Sequence, residues 1–163
     1  MKKQKGFSLI ELLIVVAIIL IIAAIAIPNL LRSRMAANEA SAVASCRTIN
    51  TSEVVYSSTY PVGFAVSLSA LSDGGTAANC TPPAVPVAAN ACLIDASLAT
   101  GTKSGYNFKY VTGAPVGTVI PTYTIQAVPL AIGSTGQRGF FTDESNVVRS
   151  NPSGTATLAD PAI

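Results

Sequence analysis

Apolar positions are distributed very unevenly along this chain. Across residues 7–27, 19 of 21 positions are apolar. At about 1.5 Å per residue such a run makes a helix of roughly 30 Å, the thickness of a bilayer's hydrocarbon core. It predicts a helix able to span a membrane. Beyond Pro28 the pattern changes. Ala42, Cys46, Ile49, Glu53, Tyr56 and Tyr60 recur at alternating spacings of four and three, which places them on one helix face suited to packing on a sheet. Arg32, Arg34, Glu39 and Arg47 fall off that stripe and read as solvated or as subunit contacts. Between residues 7 and 60 there is no glycine and one proline. One long helix is therefore predicted, bent or locally opened at Pro28, where a backbone donor is missing.

Pro61 and Gly63 end that helix, and residues 61–104 are dominated by Ser, Ala, Gly, Pro and Asn, with Asp73-Gly74-Gly75 and Pro82-Pro83 as turn signals. This is a connecting loop in which residues 93–99 form a short helix ending at Gly101. The period then switches to two. Tyr106, Phe108 and Tyr110, then Tyr123, Ile125 and Ala127, then residues 140–143 and 147–149 predict four short strands. Short connections, the tightest at residues 143–146, arrange them as an antiparallel meander. Residues 150–163, rich in Pro, Gly, Thr and Ala, read as a surface tail.

Charge adds a direction to the apolar run. Lys2, Lys3 and Lys5 precede it, and without them 7 basic residues face 8 acidic ones. Basic residues stay cytoplasmic while the apolar segment enters the bilayer, and no basic footprint for nucleic acid remains. The chain has no histidine. That removes imidazole general-base catalysis, histidine-dependent nucleophile schemes and histidine-ligated metal sites. No enzyme activity, cofactor or metal is expected. A cleaved secretory signal with Ala24-Ile25-Ala26 as its small-residue site is the competing reading of the N-terminus. The length of the run and the acid inside it argue against that reading.

That acid, Glu11, is the most informative residue. A carboxylate among lipid tails costs on the order of 2.5–3.5 kcal/mol even on the permissive insertion scale, so it is normally paired or functional. No neighbouring side chain can pair with it. The stretch Lys5-Gly6-Phe7-Ser8-Leu9-Ile10-Glu11-Leu12-Leu13-Ile14-Val15-Val16-Ala17-Ile18-Ile19, with Pro28 at the far end of the run, resembles the leader and helix start of type IV prepilins and of the related pseudopilins of type II secretion. The resemblance covers about the first 30 residues. It implies cleavage between Gly6 and Phe7 by a membrane prepilin peptidase and N-methylation of Phe7. It also implies that Glu11 pairs with the Phe7 ammonium of a neighbouring copy in a helical homo-oligomeric filament, so Phe7, Glu11 and Pro28 become the assembly residues. The fold it implies, α+β with a long N-terminal helix packed on an antiparallel sheet of about four strands, agrees with the periodicity. The chain then divides into a leader (1–6), a transmembrane and filament-core half-helix (7–28), an amphipathic half-helix (29–60), a loop (61–104) and a sheet with its tail (105–163).

In an oxidising periplasm Cys46, Cys80 and Cys92 need not stay reduced. Cys80 with Cys92 would close a proline-rich loop and stabilise it by about 3 kcal/mol on the chain-entropy model. Cys46 with either of the others would instead tie the loop to the helix. Many pilins bridge two cysteines near the C-terminus, but none follows Cys92 here. Asp143, Glu144 and Asn146 offer oxygen ligands for a cation yet read as a hairpin turn, as does Lys103-Ser104-Gly105.

The resulting expectation is a structural filament subunit, held in the inner membrane with its C-terminal domain periplasmic. Pilus or secretion machinery then assembles it into a surface pilus serving adhesion, motility or DNA uptake. A pseudopilin of a type II secretion system and a membrane-tethered periplasmic binding domain are the alternatives.

Overall fold

The computed structural model describes residues 7–82 and 85–163. It contains a 51-residue helix, α1 (Leu9–Thr59); two four-residue helices, α2 (Leu68–Leu71) and α3 (Ala96–Ala99); a 3-10 turn at Ala77–Cys80; and five strands. The chain divides into two compact units, the first ending at Arg34 and the second running Met35–Ile163.

Helix α1 forms because its sequence holds no glycine, and the helix continues through Pro28. It ends where Pro61 cannot donate and Gly63 turns the chain at φ +76°. A Cβ at Gly63 would lie 2.3 Å from the Ile120 carbonyl oxygen. That close approach lets Phe64 donate to Ile120 O while Ile120 donates to Val62 O, pinning the chain as it leaves the helix.

The strands are β1 (Thr102–Lys103), β2 (Tyr106–Thr112), β3 (Tyr123–Pro129), β4 (Gly139–Asp143) and β5 (Arg149–Asn151). They form one antiparallel sheet in chain order. The α+β class and the meander hold, with one strand more than the periodicity predicts. Two-residue β1 is too short to alternate visibly. It is created by a tight turn at Ser104 and Gly105, whose φ values of +50° and +74° suit a primed hairpin. Lys103-Ser104-Gly105 is thus a turn.

The core lies between the second part of α1 and the sheet. Ala42, Cys46, Ile49 and Tyr56 join Tyr106, Phe108, Tyr123, Ile125, Ala127 and Phe140, with Leu68, Leu71 and Leu98 closing the loop side. Glu53 lies on the same buried stripe, and Tyr60 is partly buried against the core. Strand β3 alternates buried and half-buried residues as a one-sided strand should, whereas all five residues of β4 are buried.

Several expectations are corrected or refined. Glu39, read as solvated, is buried, because the loop before β4 supplies it with donors. Residues 150–163 do lie mostly at the surface, but they are tied down at several points. Ser150 donates to Pro161 O and Ile163 to Val148 O, Asn151 Nδ2 donates to Asp160, and Gly154 and Ala156 are buried. The last strand is accordingly Arg149–Asn151 rather than 147–149, drawn onward by pairing with Gly139 and Phe140. Helix α3 begins at Ala96 rather than 93, since Asp95 caps it by accepting the Leu98 N–H at 2.7 Å.

Candidate functional site

Phe7, Glu11 and Pro28 all lie in the first unit, while Gly6 lies outside the described residues. Ser8 stands immediately before α1, and its backbone N–H donates to Glu11 Oε2 at 2.9 Å. In Ser8-Leu9-Ile10-Glu11 the acid thus makes the Glu half of a capping box, reaching back to satisfy an orphan donor at the helix N-terminus. The S-x-x-E spacing is the sequence signal for this bond. The cap gives Glu11 a local bond to backbone, and the ion pairs found among the described residues do not include it.

Among the described residues the large apolar side chains of this segment are uncovered. Phe7 is 81% exposed, and the large apolar side chains from Leu9 to Leu31 are 45–77% exposed. They point in every direction around the helix. Its most apolar 18-residue window has a mean hydropathy of 3.3, long and apolar enough to cross a membrane. An all-round apolar helix is stable only in lipid or inside a larger core.

In the second unit, α1 is fastened to the sheet by polar contacts as well as by packing. Glu39 Oε1 accepts the backbone N–H groups of Gln137 and Arg138 at 2.9 and 3.1 Å, and Arg138 Nε donates to Oε2 at 2.8 Å. Burial pushes this carboxyl up, but those donors and the guanidinium charge outweigh it and hold it below the usual range. Asn50 Nδ2 donates to Thr142 at 2.8 Å, and the Tyr123 hydroxyl donates to Asn50 Oδ1 at 3.1 Å. The Tyr56 hydroxyl reaches the Ala88 carbonyl at 2.8 Å. Glu53 accepts the Ala65 N–H at 3.0 Å and lies 2.5 Å from the Tyr110 hydroxyl. Burial raises its pKa, against the lowering effect of those two bonds.

Cys80 and Cys92 are bonded, with Cα atoms 5.7 Å apart, and Cys46 is a free thiol inside the core. Burial pushes the Cys46 thiol up to about 12, which makes it unreactive in the folded protein. Asp143 accepts from Ser145, and Asn146 donates its N–H back to Asp143 O at 2.9 Å. These residues form a turn between β4 and β5. No group of three or more acidic or cysteine side chains able to hold a metal occurs among the described residues.

One comparison with known proteins falls within the N-terminal unit. The family model described as the prokaryotic N-terminal methylation motif matches residues 1–27. The type IV wide pilus major component PilA4 of Thermus thermophilus is 64% identical over 39 residues, 24% of this chain and 30% of that protein. The match therefore spans less than a third of that relative's length. No solved structure matches the chain. The chain carries an N-terminal methylation motif of the kind found in a type IV pilin.

Proposed function

We propose that this chain, bearing the methylation motif, is a structural subunit of a type IV pilus-like filament. Prepilin peptidase cuts it between Gly6 and Phe7, and the new Phe7 amine is methylated. The chain waits in the inner membrane through residues 7–28 and then polymerises through that same segment. One observation carries the reading: the methylation motif, residues 1–27, runs into a helix whose apolar surface is exposed on all sides. Such a surface must be covered by lipid before assembly and by copies of itself afterwards. Glu11 then meets the Phe7 ammonium of a neighbouring copy, an interaction strengthened by apolar surroundings. The work of the protein is structural rather than catalytic. The similarity to a pilus major component favours a surface pilus over a secretion pseudopilus.

The intact mass of the mature protein tests this reading in one measurement. A chain beginning at Phe7 and carrying one methyl group is expected, in fibres sheared from cells and identified by electron microscopy. A mature chain beginning at Ile27, or a domain that stays monomeric in the membrane fraction, would overturn it.

A further inference from the structure

Glu53 has none of its surface exposed, and the ion pairs among the described residues, Lys103 with Asp95 and Arg138 with Glu39, do not include it. The titratable groups that face it are tyrosines: Tyr56 one turn along α1, Tyr110 of β2 and Tyr123 of β3. Beyond Tyr123 the next charges, Asp143 and Glu144, are acidic as well. No cation is among the groups that face it, and the bonds from Ala65 and Tyr110 only partly offset the cost of burial.

The hydrogen-bond geometry limits where protons can sit. Glu53 Oε2 accepts the Ala65 N–H at 3.0 Å. The Tyr110 hydroxyl oxygen lies 2.5 Å from Glu53 Oε1 and 2.8 Å from the Ala65 carbonyl oxygen. An ionised carboxylate and a peptide carbonyl only accept, and a tyrosine hydroxyl carries a single proton. That proton cannot lie along both lines. A proton on Glu53 Oε1 resolves the conflict. The acid donates to Tyr110, Tyr110 donates to the Ala65 carbonyl, and the Ala65 N–H donates to Oε2, closing a ring in which every buried group is satisfied.

We propose that Glu53 is a neutral carboxylic acid in the folded protein, and that its proton is the closing element of a Glu53–Tyr110–Ala65 latch holding the segment after α1 against helix and sheet. Desolvation acts in the same direction. The group's folded-state value lies above its unfolded one, so folding takes up a proton. The stabilisation is complete below the ordinary glutamate range and is lost as pH rises through the folded value. With no histidine in the chain and Cys46 pushed up to about 12, neither histidine nor that thiol contributes between pH 5 and 8. Glu39 and Asp95, both held low, titrate on the acid side of that window.

The test compares the full chain in detergent micelles with Glu53→Gln, following thermal unfolding by near-ultraviolet circular dichroism from pH 5 to 8. The amide places a donor where the acid proton sits and keeps an acceptor for Ala65. The wild-type Tm is expected to fall by on the order of 5 °C across this range. The variant should stay level, matching wild type at pH 5 and exceeding it at pH 8. A level wild-type curve with the variant below it throughout would show an ionised Glu53 and overturn the proposal. A second measurement needs no variant. Wild type at pH 6 should show the infrared carbonyl band of a protonated carboxylic acid, lost on denaturation, and absence of that band would also overturn it.

Discussion

Arg138, just before β4, donates its Nε–H to Glu39 of α1 at 2.8 Å across 99 residues of chain. The same carboxylate takes the backbone N–H groups of residues 137 and 138. A single side chain thus satisfies the start of a strand and neutralises a cation that also lies 5.6 Å over the Phe140 ring.

Glu39→Ala should therefore destabilise the globular unit by about 2–3 kcal/mol, because two backbone donors lose their acceptor. Glu39→Gln, which keeps an acceptor and loses the charge, should cost roughly half as much. The carboxyl is held below its ordinary value, so its contribution is present above the ordinary carboxylate range and is lost as pH falls through the folded value. Thermal unfolding at pH 7 and pH 3 checks both statements, with the gap between wild type and Glu39→Gln narrowing in acid.

Glu11 separates capping from pairing. Glu11→Gln retains an acceptor for the Ser8 N–H, a bond of 2.9 Å in the structure, but cannot pair with an ammonium group. If the carboxylate serves only as a cap, the glutamine variant should form fibres normally and Glu11→Val should not. If the charge is what assembly needs, both should enter the membrane and be cleaved, and neither should assemble. Losing one member of a buried pair costs about 3–5 kcal/mol. A shear assay for fibres, run beside an immunoblot of membrane fractions, distinguishes these outcomes, and the second is expected.

Disulfide mapping without reduction should recover Cys80 linked to Cys92. Cys46, with none of its surface exposed, should resist alkylation until the fold is opened. Reduction should release about 3 kcal/mol of loop constraint, read as faster proteolysis within residues 81–91. Recovery of Cys46 in a crosslinked peptide would contradict the structure.

Gly139 opens β4 directly against the returning C-terminal segment. A Cβ there would lie 2.3 Å from the Gly154 carbonyl oxygen and 2.5 Å from its carbon, which are backbone atoms that cannot swing aside. Gly139→Ala should cost about 1–3 kcal/mol or more through overpacking. It should also speed amide exchange over residues 150–163 ahead of the rest of the sheet. Unchanged exchange in that segment would show that the contact is soft.

What the sequence determined by itself follows from period and composition. The apolar run of residues 7–27 and the stripe from Ala42 to Tyr56 are repeats in one dimension, and burial converts them directly into helix and helix face. The alternation in β2 and β3 worked the same way, and the turn residues around 143–146 set the meander. The bond from the Ser8 N–H to Glu11 closes within three residues, so the S-x-x-E spacing carries a signal for it that periodicity does not. What lay beyond the sequence is every polar contact closed by a distant partner. Glu39 looked wet because its position falls off the apolar stripe, and only the loop at 137–138 makes it dry. Glu53 stood on the stripe as a charged residue among apolar ones, and its neutral form follows only once Tyr110 and Ala65 are within bonding distance. The C-terminal segment has no periodicity at all. Its order comes from hydrogen bonds to β5 and from the glycine contact at β4. Period records how much of a residue is buried, whereas packing alone decides which donor or acceptor waits there.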